Sequence, residues 1–263
     1  MRACQRSAVF LPFSFAAFFS AVFAFAGQPQ GLPAMPPITK TDRILVLAPH
    51  PDDEMFGCGG TIARHRATGD HVEVVIVTRG IAELWPDEVI EQTRREARAA
   101  NEFLAVKRVH FLDFPAPKLD QVPMHLLADS IRKVVLDVRP HVLYVPHRGD
   151  IHHDHKAVHG AACVAARPDA GFGVERILSY ETPSETEWAA AGDDAFTPNV
   201  FVDISPYLDQ KIEAVSHYRS QLRPPPHPRS LQKIKAMAHF RGSAVCTEAA
   251  EAFLLVREYL PGD

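Results

Sequence analysis

From Ile44 onward, short uninterrupted apolar runs alternate with longer stretches of helical period, and that alternation leaves few folds open to the chain. Ile44–Ala48 (ILVLA), Val72–Thr78 (VEVVIVT), Arg108–Leu112 (RVHFL) and Val142–Pro146 (VLYVP) read as strands. A run without polar alternation belongs to a strand buried on both faces. Gly57–Thr68, Asp87–Leu104, Met124–Val138 and Asp154–Ala166 read as the helices that follow them. Strands near Arg176–Tyr180 and Val200–Asp203 come next, then helices at Leu208–Arg219, Leu231–Phe240 and Thr247–Phe253. Strands joined by helices need crossover connections, so the pattern predicts an α/β fold: a Rossmann-like three-layer sandwich with a mostly parallel sheet. In the common strand order 3-2-1-4-5, strands one and four are neighbours where the winding reverses. The active site is then expected at their carboxyl ends, where a crevice opens.

The 263 residues suit one domain, or at most two small ones, and 46% hydrophobic content gives it a sizeable core. The first 26 residues belong elsewhere. Arg2 and Arg6 precede an apolar run from Ala8 to Ala26 that ends Ala24-Phe25-Ala26, the small-x-small pattern of a cleaved export signal. A transmembrane anchor is the alternative, since the run could just span a bilayer; Pro12 and the small-residue end favour cleavage after Ala26. Residues 27–40, rich in Pro, read as a linker, which leaves 41–263 as the folded domain, secreted or periplasmic and without stable membrane insertion after cleavage. The formal charge is −4, and −6 without the two arginines of the signal, so no basic face for nucleic acid is expected. Cys58, Cys163 and Cys246 remain in the mature chain; they are too few for a disulfide scaffold, and at least one is unpaired.

Two loops carry unusual chemistry, and they follow strands one and four. The first is Ala48-Pro49-His50-Pro51-Asp52-Asp53-Glu54. Three consecutive acids beside a histidine repel one another and resist burial unless something positive sits among them, and a divalent cation is the simplest such partner. A solvated acidic turn capping the next helix, with Asp53 or Glu54 near its N-terminus, is the plainer reading. The second loop runs from His147 to His159 and holds five of the 14 histidines. Neutral imidazole suits Zn²⁺, and a catalytic zinc takes three protein ligands and keeps one position open. Spacing leaves the choice among ligands open: His152 and His155 lie one helical turn apart, and so do His155 and His159, which makes His155 common to both pairs. Gly57-Cys58-Gly59-Gly60 does not complete a dinucleotide fingerprint, because Ile62 stands where the third glycine belongs.

The strand-then-PHPDDE segment, followed about 100 residues later by Asp150-Ile-His152-His153-Asp154-His155, resembles the LmbE/PIG-L family of zinc-dependent N-deacetylases. The likeness extends through Glu96–Val106 to Tyr218-Arg-Ser-Gln221 and Glu251-Ala-Phe253. It implies that His50, Asp53 and His155 bind Zn²⁺ and that Asp52 is the general base. It further implies that His152 polarises the amide carbonyl and stabilises the oxyanion, with Asp154 holding its ring and favouring its protonated form. The family often places a substrate-contacting Arg three residues before the Glu of the second helix. Thr93 holds that place here while Arg94 and Arg95 adjoin it, so the choice between the two stays open, with Arg94 put forward for the contact. Pro49 intervenes where Ala-His is usual, and Ala105 replaces the usual Gly of the turn before Val106.

The expected activity is therefore removal of an N-acyl group, acetyl above all, from an amino sugar or glycoconjugate, with a small-molecule or glycan substrate. Hydrolysis of another amide is the rival reaction, and a silent metal- or sugar-binding protein is the rival of another class. Asp52 and His152 argue against silence, because a binder has no use for a base beside its metal. The Pro-rich island Arg223–Arg229 is expected to be a rigid loop or part of the rim over the site.

Overall fold

The computed structural model describes residues 41–168, 173–190, 192 and 194–260. The export signal and linker expected at 1–40 lie outside the described residues. Seven strands are seen: β1 (Arg43–Ala48), β2 (His71–Gly80), β3 (Arg108–Ala116), β4 (Val142–Pro146), β5 (Arg176–Tyr180), β6 (Val200–Asp203) and β7 (Ala250–Glu258). They form one sheet in the order β3-β2-β1-β4-β5-β7-β6. The first five are parallel, in the expected 3-2-1-4-5 order, and β7 pairs antiparallel with both β5 and β6.

The uninterrupted apolar runs do bury both faces. In β1, Ile44, Val46 and Ala48 join one hydrophobic cluster, while Leu45 and Leu47 join the other. The first cluster is completed by α1 (Asp53–Ala67), through Phe56 and Ile62, and by α2 (Asp87–Phe103), through Ala97 and Ala100. The second is completed by α3 (Met124–Val138), through Ile131 and Val135, and by α4 (His153–Ala165), through Val158 and Ala162. The late helices α5 (Leu208–Ser216) and α6 (Leu231–Ser243) return to the first face. Among the described residues no helix is long and apolar enough to cross a membrane.

Two elements depart from the sequence reading. Thr247–Phe253 is not a helix; the chain becomes strand β7 at Ala250. Its Ala-Ala-Glu-Ala run favours a helix locally, but the slot between β5 and β6 offers backbone partners on both edges, and Phe253 sits opposite both Tyr180 and Val200. Helix α1 begins at Asp53, four residues before the expected Gly57, so Asp53 and Glu54 occupy its first turn, where both are buried rather than solvated. Gly57 lets this helix press against Tyr180, whose ring occupies the space a Cβ would need. The three described cysteines are free, and Cys58 is buried in α1.

Candidate active site and metal centre

The loop between β1 and α1 is fixed from several sides. The Pro49 carbonyl accepts hydrogen bonds from the Thr78 N–H (3.1 Å) and hydroxyl (2.7 Å), which ties the extra proline to the end of β2. Asp52 has φ of 124°, a region that side-chain-bearing residues rarely enter. Its carbonyl opens α1 by accepting from Met55 and Phe56, each at 3.0 Å, while its N–H donates to Glu54 Oε2 at 3.2 Å. Glu54 is itself held by Asn101 Nδ2 (2.9 Å) and the Tyr218 hydroxyl. Burial pushes this carboxyl up to about 7, against the pull of those donors. A strained residue persists only where its surroundings over-determine it, and Glu54, Asn101 and Tyr218 supply that restraint.

His50, Asp53 and His155 converge as the resemblance implied. One donor atom from each lies within 4.8 Å of the others. Asp53 Oδ2 is 3.3 Å from both His50 Nδ1 and His155 Nε2, and it also accepts the His50 N–H at 2.8 Å. Asp53 and His155 are fully buried, yet Asp53 Oδ1 and His155 Nε2 have no hydrogen-bond partner. His155 Nδ1 donates to Asp150 Oδ2 at 2.8 Å, and Asp150 Oδ1 accepts from Thr186 at 2.6 Å. This fixes the imidazole with its Nε2 turned toward Asp53, the orientation a metal-bound histidine needs. Orphaned buried atoms of that kind cost about 1–3 kcal/mol each.

The electrostatics make the same demand. Burial lowers the His50 and His155 pKa values, but Asp154 and Asp53 outweigh it and hold them up at about 9 and about 10. Burial raises Asp53, but His155 outweighs it and keeps that carboxyl well below its usual value. The cluster thus calls for positive charge, and a divalent cation with neutral imidazoles meets that call. The donor set fits Zn²⁺.

Asp52 and His152 lie at the edge of this cluster and line one cavity with His50. The Asp52 carboxyl is pushed up to about 8, first by burial, against the attraction of Arg229. Its Oδ2 accepts from Arg229 Nη1 at 3.1 Å. The carboxylate of Asp154 does not hold the His152 ring, contrary to expectation. It meets His50 Nε2 at 3.0 Å and accepts the Leu119 N–H, while the Asp154 backbone N–H donates to His152 Nδ1 at 3.1 Å. Nor is the His152 imidazolium favoured: burial, then the charges of His50 and His155, push it down to about 4. The neutral ring therefore carries its proton on Nε2, which still makes it a donor. Asp52 and Asp53 differ because one precedes the helix and the other starts it.

Around these residues the structure sorts the remaining candidates. Arg94 lines the cavity, paired with Asp113 and lying 4.3 Å over the Phe111 ring, whereas Arg95 is exposed. His147 Nε2 donates to the Asp194 carbonyl and His159 Nδ1 to the Pro146 carbonyl, so these two brace the loop from outside the cluster. Sequence reasoning did not single out Glu185, and it named Glu54, Tyr218 and Arg229 only within their segments, with no role of their own. The C-terminal motifs prove to be braces: Tyr218 holds Glu54, Ser220 donates to Glu96 at 2.6 Å, and Gln221 reaches the cavity. Glu251 accepts from the Gly60 and Thr61 N–H groups and from Lys211, which in turn donates to the Phe56 carbonyl at 2.8 Å.

Residues 45–166 match the family model described as "PIG-L: GlcNAc-PI de-N-acetylase". A protein of Escherichia coli K12 called "Uncharacterized deacetylase YaiS" is 31% identical over 187 residues, covering 69% of this chain and 92% of that protein. The diacetylchitobiose deacetylase of Thermococcus kodakarensis is 28% identical over 196 residues, 70% of this chain and 72% of that one. Among solved structures, the conserved protein TT1542 from Thermus thermophilus superposes with a TM-score of 0.67 at 31% identity, covering 84% of this chain and 98% of that one.

Proposed function

The chain belongs to the PIG-L family of deacetylases, and on that footing we propose that it is a zinc-dependent hydrolase that frees an amino sugar or glycoconjugate from its N-acetyl group. The observation that carries this reading is the pair of orphaned atoms, Asp53 Oδ1 and His155 Nε2, set against His50 in a cluster flanked by Asp52 and His152. The substrate class is supported by the family description and by the relative named for diacetylchitobiose, both built on N-acetylglucosamine. We further infer that the chain is exported on residues 1–26 and acts outside the cytoplasm, which N-terminal sequencing of secreted material would support by a start at Gly27 and refute by a start at Met1.

His50, Asp53 and His155 would hold the cation, which supplies Lewis acidity to a carbonyl and to a water molecule. Asp52 accepts the proton of the attacking water. His152 donates through Nε2 to the carbonyl oxygen as it gains negative charge. Asp52 then returns its proton to the amine nitrogen as the C–N bond breaks, releasing acetate and free amine. Arg229, which donates to Oδ2, keeps the Asp52 carboxyl group oriented. Acetate release from a panel of N-acetylhexosamine compounds, with and without chelator, tests the proposal. Chelator-sensitive release is the expected result. Release indifferent to chelator, or none with zinc bound, would overturn it in favour of another amide or a silent binder.

A further inference from the structure

The cavity that holds Asp52 and His152 has one wall that proton transfer does not use. The chain between β2 and α2 folds back so that the Leu84 and Trp85 N–H groups both donate to the Ile81 carbonyl at 3.1 Å. The Trp85 ring rests on Gly80, the last residue of β2. A Cβ there would come within 3.2 Å of the indole and 3.3 Å of Ile90, so the bare Cα is the seat of the ring. The indole is thereby fixed on the wall of the catalytic cavity while 38% of the residue stays exposed. Beside it the lining is mixed: Val89 and Pro117 are apolar, and Thr93, Arg94 and Gln221 are polar.

The geometry points to Trp85 as a stacking platform for the pyranose ring of the substrate, a residue that selects saccharide amides over simple acyl amides. This rests on the amino-sugar reading above. A pyranose presents a C–H face and an edge of hydroxyls, and this wall presents a partly exposed indole seated on Gly80 beside hydrogen-bonding side chains. An alkyl chain would cover the indole but would strip water from Arg94 and Gln221 without replacing it. A free pyranose satisfies both.

The chain has two tryptophans, and the other, Trp188, is 53% exposed and meets His227 rather than the catalytic cavity. Trp188→Phe therefore leaves Trp85 as the single indole reporter. In that variant of the metal-free protein, diacetylchitobiose is expected to shift or quench the emission saturably. In the zinc-loaded enzyme, Trp85→Ala is expected to raise KM for diacetylchitobiose about tenfold with kcat nearly unchanged, and Trp85→Phe to recover most of the loss. Bound zinc should remain at the wild-type level in each variant. Emission that stays flat to millimolar saccharide while the wild type hydrolyses it, or a loss confined to kcat, overturns the platform and leaves the deacetylase reading standing. A saturable emission change in a protein that hydrolyses no saccharide amide does the reverse. Should Trp85→Ala fail to fold, the emission titration still decides.

Discussion

Arg229 Nη1 stands 3.1 Å from Asp52 Oδ2, although 177 residues separate them in the chain. The guanidinium is clamped in turn by the Ser184 hydroxyl at 2.7 Å and Glu185 at 3.3 Å, and it lies over the Phe56 ring. The Pro-rich island thus forms part of the rim and supplies a partner for the general base. Arg229→Met is expected to lower kcat/KM by about ten- to a hundredfold with zinc content unchanged, a cost of about 1.4–2.7 kcal/mol at the transition state. Arg229→Lys, which keeps the charge but not the fork, should recover part of it. Steady-state kinetics with metal analysis on the same samples check this; wild-type turnover in Arg229→Met would refute the positioning role.

Asp52 is distinct from the cation's ligands, so its chemistry can be removed while the centre is kept. Asp52→Asn preserves the volume and can still meet Arg229 through its amide oxygen. Turnover is expected to fall by about 10²–10⁴, the usual worth of a positioned base, with zinc bound at the wild-type level. Full activity in this variant would discard the assignment.

The strands and the two reactive loops were legible because their signals are local. Ile44–Ala48 is apolar without a break, and five histidines crowd into the segment from His147 to His159. What escaped depended on distant pairing. Arg229 reads as the end of a proline-rich loop until it is folded against Asp52, and Tyr218 reads only as part of a C-terminal motif until Glu54, 164 residues away, is placed against its hydroxyl. Asp154 misled for a related reason. Its neighbour in sequence is His152, but the first turn of α4 sends its carboxylate to His50 and leaves only its backbone N–H for His152. The Ala-rich start of β7 was misread because its edges are satisfied by β5 and β6, which local propensity does not report.

Asp150 fixes the ring of His155 by accepting from Nδ1, with Thr186 bracing the other carboxylate oxygen. Removing such an outer partner typically weakens metal binding by about 10–100-fold. Asp150→Asn is therefore expected to weaken zinc affinity by that range, read by competition with a chelator of known affinity. The wild type should also melt at a higher temperature with zinc than after chelation, since a ligand of the folded state alone stabilises it. Equal affinity in wild type and Asp150→Asn would contradict the role given to this carboxylate.

His65, Asp70 and Tyr144 form a chain far from the metal centre: His65 Nδ1 donates to Asp70 Oδ2 at 2.6 Å, and Nε2 accepts from the Tyr144 hydroxyl at 3.0 Å. Burial, opposed by Asp70, lowers the His65 pKa in the folded protein. Asp70 is also lowered, because the His65 hydrogen bond and the Asp42 N–H outweigh its burial. Both folded values lie below their unfolded ones, so both contributions are present at neutral pH and are lost on acidification. His65 gives way first, as pH falls below about 6.5, and Asp70 only below about 3.8. His65→Gln cannot take up that proton. Its melting temperature should fall less than that of the wild type between pH 7.5 and 5.5, and an equal or steeper fall would refute the linkage.

Helix α2 ends in a closed hydrogen-bond pattern that favours glycine, and here the position holds alanine. The Val106 N–H donates to the Asn101 carbonyl and the Ala105 N–H to that of Glu102, each at 2.9 Å, with Ala105 at φ of 53° between them. An L-residue pays about 1–2 kcal/mol for that left-handed conformation. Glycine avoids the strain but loses about 0.4–1 kcal/mol through its looser unfolded chain. Because Ala105 is exposed, its methyl group contributes little packing to offset the difference. Ala105→Gly is expected to stabilise the fold by about 0.5–1 kcal/mol and to raise the melting temperature by about 1–4 °C. Calorimetry on the two proteins checks this; a lower melting temperature in the variant would show that the alanine side chain contributes more than its backbone strain costs.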